Sequence, residues 1–206
     1  MTITWHGLGC FRLQADGATL ITDPLFSATG LRGPRLNVNL ITVSDPTAAA
    51  KLDVGSGSPA PLFITGPGEY EAGGILVEGT AVPPFGKTTC YRIIADGLKI
   101  IAIGALSGIL KAEDVAALTG GDILLIPVGG GPVLSAAQAA SLISVLEPRV
   151  VIPCYYKIPG LTLKLDPLDK FCKEIGVCPN VELPKYKIAR KDLPASEMQV
   201  VVLQKA

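Results

Sequence analysis

Between Ile123 and Leu146 the chain runs for 24 residues without a charged side chain, and no other feature restricts its fold as much. Such a length would span a bilayer as one helix. Yet Pro127, the Gly129-Gly130-Gly131-Pro132 turn, Ser135 and Gln138 lie inside it, and proline with clustered glycine stops a helix. The run therefore divides into a buried strand, a turn and a helix. A continuous apolar strand, unlike an alternating one, is covered on both faces, the habit of parallel sheets under helices.

The same texture continues around this run. A hairpin of Thr88 to Ala95 and Leu98 to Ile103 turns at Asp96-Gly97. Helices are expected at Lys111 to Leu118, Ser135 to Leu146 and Asp166 to Ile175, with strands at Asp122 to Ile126 and Val150 to Pro153. Pro127 and Pro153 each follow a continuous apolar run, and Met198 to Leu203 supplies a last strand. Before residue 88 short strands dominate: Ile3 to Trp5, Cys10 to Leu13 and Ala18 to Ile21, with a turn at Asp16-Gly17. Phe26 to Leu36 has no periodicity and reads as a loop, and Val38 to Val43 returns as a strand. Ser44 or Asp45 caps a short helix with Pro46 in its first turn. Gly55 to Pro61 is a link, and Leu62 to Thr65 and Gly73 to Val82 are further strands. Glu69 and Glu71 share one face of an alternating segment, with Tyr70 on the other. No internal repeat divides the chain, so residues 1–206 read as one α/β domain.

Composition excludes whole classes of partner. Eighteen basic residues balance eighteen acidic ones, and neither sign forms a long run. Nucleic acid and an acidic membrane surface therefore have nothing to bind by charge. The basic segment Lys185 to Lys191 reads as a solvated tail. The start lacks a basic segment followed by an apolar one, so a cytoplasmic protein is expected. The 49% hydrophobic share points to contacts buried between subunits of a homo-oligomer. Five scattered cysteines without a Cys-x-x-Cys pair read as free, buried thiols in a reducing compartment. His6 is the only histidine, which excludes any site built from several imidazoles.

Several segments, taken in order, resemble the metallo-β-lactamase fold. They are Ile3-Thr4-Trp5 with Cys10-Phe11-Arg12, Leu20-Ile21-Thr22-Asp23-Pro24, Gly66-Pro67-Gly68-Glu69-Tyr70-Glu71, Ile123 to Gly130, and Ile152-Pro153 continuing to Tyr156-Lys157-Ile158-Pro159-Gly160. The likeness is to small prokaryotic Zn-dependent hydrolases distantly related to ascorbate-phosphate lactonases. It implies a four-layer αβ/βα sandwich of two mixed β-sheets flanked by helices. It also implies two zinc or related divalent ions, which would lower the pKa of a shared water and polarise a scissile bond.

Carried over residue by residue, the resemblance finds that metal motif replaced. Active members show His-x-His-x-Asp-His directly after a strand, and here Asp45, Thr47, Ala49 and Ala50 stand at the four positions. A bridging aspartate is expected after Gly104, where Ala105 stands. Tyr155 stands where Ile-Pro-x-His-Tyr-Lys would place a histidine, and Pro84 falls near a further histidine position. His6 lies two residues before the family's early histidine slot and is not a carried-over ligand.

The loss of the neutral nitrogen donors that zinc prefers implies no metal cofactor and no catalytic residues, and hence a pseudoenzyme that binds a small ligand or protein partner or assembles with itself. The alternative is a divergent hydrolase. It would use a metal site rebuilt around Asp23 and Asp45, or a metal-free Cys154 nucleophile at a strand end. Asp23, Asp45, Cys154 and Tyr155 are accordingly the residual cleft residues.

Overall fold

The computed structural model describes residues 1–24, 29–49, 60–82, 88–177, 179 and 181–206. Its first strand, β1 (Thr2–Gly7), alternates strictly, burying Ile3, Trp5 and Gly7 and turning Thr2, Thr4 and His6 to the other face. β1 pairs antiparallel with β2 (Cys10–Gln14) through a bulge between Trp5 and Gly7, and β2 turns at Asp16-Gly17 into β3 (Thr19–Thr22). β4 (Leu40–Thr42) and β5 (Leu62–Ile64) then lie parallel to β3. The outer edge is β12 (Tyr186–Lys187), which pairs antiparallel with β1. The basic segment read as a solvated tail is therefore part of the sheet. A strand of two residues carries no periodicity from which it could have been read.

The second sheet joins an antiparallel half to a parallel half. β6 (Gly68–Ala72), β7 (Ile75–Val82), β8 (Thr88–Ala95) and β9 (Leu98–Ala102) form a meander. β10 (Ile123–Pro127), β11 (Val150–Cys154) and β13 (Gln199–Val200) extend it in parallel. Gly73 (φ 59°) and Gly74 (φ 78°) form the β6–β7 turn, so that strand begins at Ile75 and not at Gly73. Pro127 and Pro153 lie within β10 and β11. Their missing N–H groups cost no ladder bond, because β9 pairs with β10 only as far as Leu125 and β13 pairs with β11 only as far as Val151.

Two mixed sheets with few helices make the αβ/βα sandwich that the resemblance implies. Ile3, Trp5, Leu13, Leu20, Leu40 and Ile64 of the first sheet share one core with Val77, Ile93, Ile100 and Leu125 of the second. Tyr91 pins the sheets together, its hydroxyl donating to Val43 O at 2.9 Å and Ile64 O at 3.3 Å. The helices are α1 (Pro46–Ala49), α2 (Ala112–Leu118), α3 (Ala136–Leu146) and α4 (Leu168–Ile175). Ser135 and Gln138 cap α3 reciprocally, an arrangement that contributes about 1 kcal/mol. The helix buries Ala136, Ala139, Leu142, Ile143 and Leu146, the spacing of one helical face. α4 is anchored by Phe171, whose complete burial contributes roughly 2 kcal/mol. Cys172, on α4, is disulfide-bonded, which corrects the expectation that every cysteine is a free thiol. Among the described residues no helix is long and apolar enough to cross a membrane.

Candidate functional site

Five chain segments meet where strands of both sheets end. They are the β1–β2 turn with Leu8 and Gly9, Asp23 after β3, Ser44 after β4, Gly104 after β9 and Tyr155 after β11. Leu8 (φ 50°), Asp23 (φ 39°) and Tyr155 (φ 52°) are left-handed here, a backbone state that costs a residue with a side chain about 1–2 kcal/mol. Strain of this kind persists only where the surroundings impose it. Among the described residues the other side-chain-bearing cases, Asp96 and Glu147, lie in a hairpin turn and a helix cap.

Asp23 holds the centre. Its Oδ1 accepts from the Ser44 N–H at 2.6 Å, and its own N–H donates to Thr42 O at 2.8 Å. Burial lifts its carboxyl from 3.8 to about 6, helped by the charge of Asp45 and opposed by the hydrogen bonds from Ser44. Ser44 passes the connection on, since its Oγ accepts from the Ala105 N–H at 3.4 Å and its carbonyl from the Thr89 N–H at 2.9 Å. Thr22 fastens the β1–β2 turn beside it, donating to Gly9 O at 2.6 Å and accepting from the Phe11 N–H at 3.0 Å.

Tyr155 fills the space above Asp23. It is 7% exposed, and burial together with the Asp23 charge pushes its phenol well above the usual value, so it stays neutral. The Gly9 N–H faces the hydroxyl and pulls the other way. Gly9 makes this possible, because a Cβ there would lie 2.8 Å from Tyr155 Cε2 and 3.1 Å from Asp23 Oδ2. Gly129 makes room behind it, since its Cβ would strike the Tyr155 carbonyl. The glycine run after β10 is thus a close-approach turn; Gly129 O also accepts from the Asp166 N–H at 2.7 Å. Gly104 (φ 66°) has Ser44 where its side chain would be.

The motif positions after β4 behave differently. Asp45 Oδ1 accepts from the Thr47 N–H at 2.8 Å and from Thr47 Oγ1 at 2.7 Å, so both side chains are engaged in starting α1. Ala49 ends that helix, and Ala105 follows Gly104 at the rim. Ala50 and Pro84 lie outside the described residues. Cys154 is buried, and burial with the Asp23 charge pushes its thiol well above the usual range, which disfavours the nucleophilic thiolate. Cys10 is raised in the same way, and so is Cys90. Asp23 and Tyr155 are brought together, whereas Asp45 turns its carboxylate to its own helix. The sequence marks Ser44 only as a helix-cap candidate and Gly104 only as the residue before Ala105, and it does not single out Gly9; the two glycines beside strand ends are the available signal.

These side chains do not fit a pair of metal ions. Among the described residues no group of three or more histidine, cysteine, aspartate or glutamate side chains could hold an ion. What the cleft offers is a buried carboxyl, a neutral phenol and backbone N–H groups, a set suited to holding polar atoms by hydrogen bonds.

A sandwich of this topology with its polar centre at the strand ends defines the metallo-β-lactamase class. The chain belongs to that superfamily: residues 2–155 match the β-lactamase superfamily domain. Two UPF0173 proteins are similar to it. The one from Pyrococcus abyssi is 24% identical, with 78% of this chain and 85% of the relative covered. The one from Pyrococcus furiosus is 25% identical, covering 85% and 90%. Among solved structures, a Thermotoga maritima protein assigned as a Zn-dependent hydrolase of the metallo-β-lactamase superfamily aligns over 98% of both chains, at a TM-score of 0.79 and 27% identity. An isothiocyanate hydrolase from Delia radicum gut bacteria shares the fold at a TM-score of 0.67 and 12% identity, covering 100% of this chain and 97% of its own.

Proposed function

We propose that this chain is a non-catalytic member of the superfamily, a pseudoenzyme that acts by binding a small ligand or protein partner, or by assembling with itself, and needs no metal. One observation carries the reading. Tyr155, which the resemblance sets at the position of the family's last metal ligand, is buried and packed against Gly9 beside Asp23. A phenol held neutral beside a buried carboxyl is a poor substitute for an imidazole, because zinc binds neutral nitrogen, thiolate or carboxylate donors. The Asp45 carboxylate is likewise committed to Thr47.

Metal analysis of protein purified without chelator tests this reading. Zinc, manganese and iron well below one equivalent are expected, with no gain in thermal stability when zinc is added. Stoichiometric, tightly held zinc overturns it. Light scattering addresses self-assembly, and a monomer at every concentration leaves ligand or partner binding as the mode of action.

A further inference from the structure

The charge-free run from Ile123 to Leu146 includes all of α3, and burial within one copy accounts for only part of it. β10 is covered on both faces and needs no charge. α3 is different: Ala137, Ser141, Ser144 and Val145 are exposed, and Val145 keeps 60% of its surface open. α4, which packs beside it, turns Asp169, Lys170, Lys173 and Glu174 to solvent within eight residues. The hydroxyls on the α3 face are already engaged, since Ser141 Oγ donates to Ala137 O at 3.0 Å and Ser144 Oγ to Ser141 O at 2.8 Å. Covering the face with protein therefore strands neither hydroxyl proton. Beside it opens a recess of about 200 Å³, lined by Leu110, Val115, Leu134 and Leu142 together with Val145 and Ile109, the last 78% exposed. None of the residues lining it is charged.

We propose that this face joins two copies of the chain about a two-fold axis, with the two α3 helices antiparallel and Ser141 of each at the axis. The occupant follows from charge and shape. A face without charge meets its own copy without repulsion, whereas a partner with an ordinary charged surface would bury charges that nothing here pairs. A two-fold contact also requires a surface that fits itself, and this one carries protruding aliphatic side chains and a recess together. Ser141 is the midpoint of α3, and Ala137 and Val145 lie about one helical turn to either side of it on the same row. Antiparallel pairing therefore sets Val145 over Ala137 of the partner subunit, large against small. Parallel pairing would oppose Val145 to its own copy and hold the helices apart at Ala137. The 49% hydrophobic share of the chain agrees with contacts buried between subunits. This surface deepens the self-assembly arm of the proposed function and rests on it, and it is independent of whether the cleft binds metal.

Analytical ultracentrifugation of the intact protein should show a species of twice the mass of the chain that dissociates on dilution. Ser141→Lys, at an exposed position that does not endanger folding, sets two ammonium groups against each other at the axis and should weaken the dimer about a hundredfold or more. Ser141→Cys gives a second readout, because a thiol at the axis meets its own copy. Oxidation with copper phenanthroline should lock most of that variant as a covalent dimer, whereas Lys191→Cys, exposed outside this face, should stay a single chain on a denaturing gel. A monomer at every concentration overturns the proposal and leaves the face to a different protein. A dimer that withstands Ser141→Lys, or equal crosslinking of the two cysteine variants, overturns it as well. Zinc content read on the same preparation keeps the two failures apart. A monomer without zinc removes this face and leaves the metal-free reading intact, and a zinc-loaded dimer sensitive to Ser141→Lys does the reverse.

Discussion

The strand ends after β4 and after β11 both carry positions where the family resemblance expects metal ligands, and the residues there are held in opposite ways. After β4, Asp45 and Thr47 bond each other within one helical turn, and Thr47 is exposed. After β11, Tyr155 is buried, left-handed and packed on residues from other strands. The first region has become an ordinary helix start whose parts satisfy one another locally. The second has become part of the core that ties the two sheets together. Near the surface a strand end is thus held by local hydrogen bonding, whereas a deep one is held by packing across strands.

Replacing Tyr155 by alanine should break the deep region most severely. A large side chain buried against Gly9 and Asp23 leaves a cavity, and a loss of about 4 kcal/mol is expected in urea unfolding. An effect below about 1 kcal/mol would show that the phenol is a loose cover and would erase the contrast with β4.

Asp23 gives the next largest effect, through pH. Its folded carboxyl, near 6, holds a proton more readily than the unfolded one at 3.8. Its contribution is therefore complete below about pH 4 and is lost as the pH rises through 6, by about 3 kcal/mol in all. Urea midpoints measured from about pH 4 to about pH 8 should show this decline in the native chain and lack it in Asp23→Asn. Parallel profiles for the two proteins would mean that Asp23 is better solvated than its burial implies.

The surface region should respond weakly. Asp45→Ala removes the cap of α1 and is expected to cost about 1 kcal/mol. Thr47→Ala removes one exposed side-chain bond and is expected to cost about 0.5 kcal/mol. Thermal unfolding of both variants measures this, and losses comparable to that of Tyr155→Ala would show that the β4 end also braces the sheets.

The sequence shows most of the framework because its signals are local. Asp16-Gly17 and Asp96-Gly97 mark hairpins, and the apolar runs before Pro127 and after Pro148 mark the parallel strands. The segment at β12 was misread because its strand exists only through its partners Thr2 and Ile3, from the far end of the chain. The place of Tyr155 at a strand end is legible from Ile152-Pro153 before it, but its packing is not, since Gly9 and Asp23 reach it only in three dimensions. The Cys172 disulfide has no signature in the sequence, because an odd number of scattered cysteines carries no pairing signal. Ser44 was read as a helix cap candidate, while the bond from its backbone to Asp23 depends on two strand ends meeting.

The pairing of β1 with β12 bears on how the molecule is made. The Met1 amino group reaches Ile188 O, 187 positions along the chain, so the edge strand can be added to the first sheet only after residues through Ile188 have been synthesised. Until then the β1–β2 hairpin, built on neighbours in sequence, presents an unpaired edge. Contacts of such separation bear a high closure entropy and slow folding. The sheet whose strands β1–β5 precede those of the other is therefore completed late, and nascent chains should be most prone to aggregation in that interval.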